Sequence, residues 1–88
     1  MNVIKYKLLP QYILHDDGTE KYMLFDTNTG DIYKLNAVSY NILSFCSGEY
    51  TSDEIKNEIL KMFDVPLDIL SKDFNDIITK FLNENIIS

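Results

Sequence analysis

The chain has no tryptophan, no arginine, one cysteine, one histidine, three glycines and two prolines. Each scarcity removes a class of function. Without arginine the commonest reader of guanine is missing. A lone Cys46 cannot form an intramolecular disulfide or a multi-cysteine metal site. Gly18, Gly30 and Gly48 stand too far apart to build a phosphate-cradling loop. The longest apolar run, Tyr22–Phe25, has four residues, far short of a transmembrane helix. Lys5 and Lys7 interrupt the apolar stretch near the N-terminus, and no small-residue cleavage site follows, so a signal peptide is not expected. The chain reads as cytoplasmic.

What is present describes a small acidic domain. In 88 residues, 45% are hydrophobic, 25% are charged and the formal charge is −6. That apolar content suits a folded globule, and the length suits one domain spanning residues 1–88. Fourteen acidic against eight basic side chains repel phosphate over most of the surface.

The first third has strand character. Val3–Leu8 and Tyr12–His15 flank Pro10, a residue of strand edges and breaks. Asp16-Asp17-Gly18 is a turn signal. Lys21–Asp26 is a second apolar run with β-favouring aromatics. Thr27–Gly30 reads as a hairpin loop, and Asp31–Leu35 returns from it with Tyr33 and Leu35 on one face and Ile32 and Lys34 on the other. An antiparallel meander of about three strands results.

Helical spacing takes over next. Ala37–Ser47 places Val38, Ile42, Phe45 and Cys46 on one stripe, with Asn36 as N-cap and Gly48 as the residue that ends the helix. Thr51-Ser52-Asp53-Glu54 is a capping box, followed by Ile55, Ile59, Met62 and Phe63 as a buried face. Pro66 breaks the pattern. A third helix is predicted over Leu67–Glu84, with Asn85 as a left-handed stop. The fold class is therefore α+β: a three-stranded antiparallel sheet followed by three helices, in a winged helix-turn-helix-like order. Neither half can bury its apolar face alone, so both share one core.

Chemistry is scarce. His15 has no partners at metal-ligand spacing, and the acidic residues lack the rhythm and central glycine of a calcium loop. Cys46 sits on an apolar stripe, where a thiol behaves as a small hydrophobe. No nucleophile–base pair and no cofactor motif exists, so an enzyme is not expected and no cofactor or metal is implied. A winged-helix DNA-binding regulator is the alternative suggested by shape. Charge opposes it, because the third helix carries Asp68, Asp73, Asp76 and Glu84 against Lys72 and Lys80. A protein-binding module remains, in which an edge strand templates a partner peptide. A further alternative is an accessory domain separated from a larger catalytic polypeptide.

From Leu24 onward, the sequence LFDTNTGDIYKLNAVSYNILSFCSGEYTSDEIKNEILKMFDVPLDILSKDFNDIITKFLNENII resembles the PqqD-like proteins, the RiPP recognition elements of ribosomal-peptide modification systems. The matching features are a strand ending in Asp26, the turn to Gly30, and Tyr33-Lys34-Leu35-Asn36. They continue with Ser47-Gly48, the Thr51–Glu54 helix start, and Phe81-Leu82 before Asn85-Ile86-Ile87. The likeness covers Tyr22–Ile87, although the family's frequent tryptophan in the first helix and Gly-Leu pair after the last are absent.

The resemblance implies a non-catalytic protein that binds the leader of a precursor peptide and presents it to a separate tailoring enzyme, such as a radical enzyme, peptidase or cyclase. It places the leader as a strand beside Asp31, Ile32, Tyr33, Lys34 and Leu35, in a groove bounded by the third helix. Carried onto this helix, the groove residues are Asp73, Asp76, Ile77 and Lys80, with Phe74 and Phe81 as pocket walls. Nucleic acid and membrane are not implied as partners.

Overall fold

A computed structural model describes residues 4–88. Its elements are β1 (Lys5–Lys7), β2 (Tyr12–Asp16), β3 (Tyr22–Asp26), β4 (Ile32–Leu35), α1 (Ala37–Ser44), β5 (Ser47–Thr51), α2 (Ser52–Met62) and α3 (Leu67–Asn83). The expected meander is the three-stranded antiparallel sheet β2-β3-β4, and three helices follow it. Val3, the expected start of the first strand, lies outside the described residues.

Several features depart from the sequence reading, among them Met62, expected on the buried face of α2 but 50% exposed. Helix α1 ends at Ser44 with Phe45 as its C-cap, three residues before the expected Ser47. Gly48, expected to terminate that helix, lies inside β5, which pairs antiparallel with β1 through Lys5↔Thr51 and Lys7↔Ser47. Pairing with a strand some forty residues earlier competes with helix continuation and wins. Gly48 sits there at φ 87°, a conformation glycine adopts without penalty. Helix α3 ends one residue before the expected Glu84, which serves as its C-cap.

The remaining boundaries follow from capping. The Asn36 side chain accepts from the Ser39 N–H at 2.8 Å and opens α1. Asn85 has φ 57°. Its N–H donates to the Leu82 carbonyl at 3.1 Å, and the Ile86 N–H donates to Phe81 at 2.9 Å. That is a Schellman motif with asparagine in the left-handed position. It turns Ile86 and Ile87 into the core.

The capping box of α2 forms in both directions. The Glu54 N–H donates to Thr51 Oγ1 at 3.2 Å, and the Thr51 N–H donates to Glu54 Oε1 at 2.9 Å. The Thr51 N–H, and after it the Thr51 hydroxyl, hold the Glu54 carboxyl below its ordinary value of 4.5. A depressed folded-state value means that this stabilisation is present above the ordinary value and lost as pH falls through the depressed one. Thr51→Ala is expected to cost about 1 kcal/mol at neutral pH. Urea denaturation should show that cost persisting into acid, because the lost bond runs from the Glu54 N–H to the Thr51 hydroxyl, whereas Glu54→Ala, which removes the titrating partner, should converge with the parent at low pH.

The core lies between the inner face of the sheet and the helices. Leu24, Ile42, Leu43, Ile55, Ile59, Phe74 and Ile86 are its fully buried side chains. The end of the chain belongs to it too. Lys7 and Ser88 exchange both backbone hydrogen bonds at 2.9 Å, and the Leu9 N–H donates to Ile86 at 2.9 Å.

Candidate functional site

The hairpin between β3 and β4 decides which backbone groups are free. The Asp26 carboxylate accepts from the Asn28 N–H at 2.9 Å, fixing the start of the loop. The Gly30 N–H closes an α-turn onto the Asp26 carbonyl at 2.7 Å, and the Asp26 N–H donates to the Asp31 carbonyl at 2.9 Å. Gly30 has φ 81°, as the return of this loop requires. The register then runs Phe25↔Ile32, Leu24↔Tyr33, Met23↔Lys34 and Tyr22↔Leu35.

Antiparallel ladders alternate hydrogen-bonded and non-hydrogen-bonded pairs. With Asp31 bonded to Asp26, the next bonded pairs are Tyr33 with Leu24 and Leu35 with Tyr22. The N–H and C=O groups of Ile32 and Lys34 therefore point away from β3. Among the described residues no strand pairs with that side of β4. The edge presents two donors and two acceptors at Ile32 and Lys34.

Glu84, the C-cap of α3, lies within electrostatic range of β4. Burial, followed by the charges of Asp31, Asp26 and Glu84, raises the Tyr33 phenol above the ordinary tyrosine range. Burial, then Asp26, does the same for Tyr12, with Glu84 contributing again. Glu84 thus shares one electrostatic neighbourhood with the inner face of β4, a proximity that sequence spacing could not reveal.

The sequence-predicted residues divide by exposure. Asp31, Ile32, Tyr33, Lys34, Asp73, Asp76 and Lys80 are exposed, and Leu35 and Ile77 are half-buried. Phe74 and Phe81 are 1% and 4% exposed, so both rings lie within the core. Lys56 Nζ lies 5.2 Å from the Phe74 ring centroid, which turns that ring toward α2.

A depression of about 330 Å³ at the far end of β4 was not anticipated. Glu20, Lys21, Tyr22, Met23, Lys34 and Leu35 line it. A signal for it existed, because a loop at residues 27–30 fixes the register that sets Met23 beside Lys34.

Among the described residues no three His, Cys, Asp or Glu side chains gather as a metal-binding group. Cys46 is 3% exposed, and burial pushes its thiol up to about 12. A thiol so protonated is a poor nucleophile. Ellman's reagent at mildly alkaline pH should label it only as fast as the protein unfolds, and immediate labelling of the native protein would contradict that burial.

The family model for "Coenzyme PQQ synthesis protein D (PqqD)" matches residues 21–87. Among solved structures, TbiB1 in complex with the TbiA(beta) leader peptide is similar at a TM-score of 0.76 and 22% identity, covering 93% of this chain and 94% of that one. Lasso peptide synthetase B1, complexed with the leader peptide, is similar at a TM-score of 0.76 and 13% identity, with 97% and 99% covered. The heterocyclase TruD is similar at a TM-score of 0.65 and 15% identity, over 96% of this chain but 11% of the heterocyclase. No curated protein sequence matches the chain.

Proposed function

Because this chain belongs to the PqqD family, we propose that it is a non-catalytic binding protein for the leader of a ribosomally synthesised precursor peptide. The leader adds as a strand to β4, bordered by α3, and is presented to a separate tailoring enzyme. One observation carries the reading: the edge at Ile32 and Lys34 offers unpaired backbone groups on a fold shared with two proteins solved with leader peptides. Strand addition draws affinity from such groups and selectivity from the side chains beside them.

The binding surface consists of the β4 backbone from Asp31 to Leu35, with Asp73, Asp76, Ile77 and Lys80 on the bordering helix. Ile77 packs against the core to which Phe74 and Phe81 belong. The tailoring enzyme is a radical enzyme, peptidase or cyclase acting in the cytoplasm. The acidic side chains of α3 oppose duplex DNA as a partner.

Titration with synthetic leaders of the precursors encoded beside the gene is expected to give affinities of about micromolar or tighter, in the range of specific peptide recognition. Failure to bind any of them would overturn the proposal.

A further inference from the structure

The outer face of the sheet is apolar where it meets the free edge. Ile13, Phe25 and Ile32 form one cross-strand row, and His15, Met23 and Lys34 form the next. Ile13 and Ile32 are 54% and 59% exposed, and the Phe25 ring takes the His15 ring edge-on at 5.9 Å. Single exposed apolar side chains need no explanation, but a continuous row running to an open edge does. Beside it, Lys34 lines the depression together with Lys21, and Glu20 is the one carboxylate there. Among the described residues the sole ion pair is Lys61 with Glu58, so Lys34 has no carboxylate partner among them. A locally positive corner thus stands on a chain of charge −6.

These features lie in register with the backbone groups that would receive a strand. Residues of an added strand set beside Ile32 and Lys34 share their face of the sheet and stand two apart in sequence. We propose that the peptide pairing with β4 is selected by an apolar side chain beside Ile32 and a carboxylate beside Lys34, two residues apart. The apolar side chain extends the Ile13–Phe25–Ile32 row to a fourth member. The carboxylate supplies Lys34 with its counter-charge, reinforced by Lys21. A second copy of this chain fits the edge poorly. Symmetric pairing about Tyr33 would set Ile32 against the copy's Lys34, with both copies carrying −6.

This inference rests on the strand-addition reading, and its test separates the two. A displayed library of peptides with a short randomised segment is panned on the full chain, on Lys34→Gln and on Lys34→Glu. Circular dichroism checks that both variants fold. The parent should enrich an acidic residue two positions from an apolar one. Lys34→Gln should lose the acidic preference, and Lys34→Glu should replace it with a basic one. A selected peptide should lose up to about fivefold in affinity on Lys34→Gln, the size of one cross-strand charge pair. Peptides that need the β4 edge, judged by loss of binding to Lys34→Pro, yet show no acidic preference would overturn the charge assignment and leave strand addition standing. If no peptide is retained, or retained peptides bind Lys34→Pro as well as the parent, strand addition fails and this inference with it. A dimer by light scattering that Lys34→Pro dissociates would give the edge to a second copy and overturn the inference.

Discussion

Lys34→Pro is expected to weaken leader binding by about fivefold to a hundredfold while leaving the protein folded. The Lys34 N–H points away from β3, so proline removes no bond of the existing ladder. Proline is tolerated on edge strands for that reason. The added peptide, in contrast, loses a donor and keeps a carbonyl that has left water without a partner. An unsatisfied buried acceptor costs about 1–3 kcal/mol, and each 1.4 kcal/mol is about tenfold in affinity. Tyr33→Pro makes the contrast. Its N–H faces Leu24 within the sheet, so that substitution should damage the fold itself. Calorimetric titration gives the affinities, and circular dichroism separates the two cases. Unchanged affinity in a folded Lys34→Pro protein would exclude strand addition through this position.

Phe74→Ala is expected to cost about 3–5 kcal/mol of stability, the usual range for emptying a buried phenylalanine site. Phe74 packs in the core with its ring under Lys56, and little of it is left to meet a ligand. For a domain of this size the loss lowers the melting temperature by on the order of 20 °C. It is also a large part of the 5–15 kcal/mol that a typical domain possesses. Urea denaturation should show a lower midpoint at an unchanged slope. Ile77→Ala separates support from contact. Ile77 is half-buried on the same helix, so its truncation should cost less stability and, on the proposed reading, more affinity. If Phe74→Ala left stability intact and weakened binding alone, the ring would be a pocket wall.

Local signals were sufficient wherever the structure is locally determined. Asn36, the Thr51–Glu54 box and Asn85 each bond their own helix end, and each end falls where those residues place it, within a residue. The meander was equally readable, because the hydrophobic period and the Thr27–Gly30 loop fix both pairing and face. Strand β5 was not. Phe45, Cys46 and Gly48 satisfy a helical ending as well as a strand, and only β1, distant in sequence, decides between them. The site divides along the same line. The edge strand follows from hairpin order, and the hairpin register identifies Ile32 and Lys34 as its free positions. The approach of Glu84 to Tyr33 depends on how α3 packs against the sheet, and no spacing rule contains that information.

The paired backbone of Lys7 and Ser88 has a topological consequence. Residues 7–9 and 86–88 lie side by side, joined by backbone hydrogen bonds and an isolated antiparallel bridge between Leu8 and Ile87. Such a unit can be spliced into a surface loop of a longer polypeptide, or have its ends joined and be reopened elsewhere, with little chain entropy spent on closure. The β4 edge lies in a different sheet from the β1–β5 pair, so grafting of this kind leaves β4 untouched.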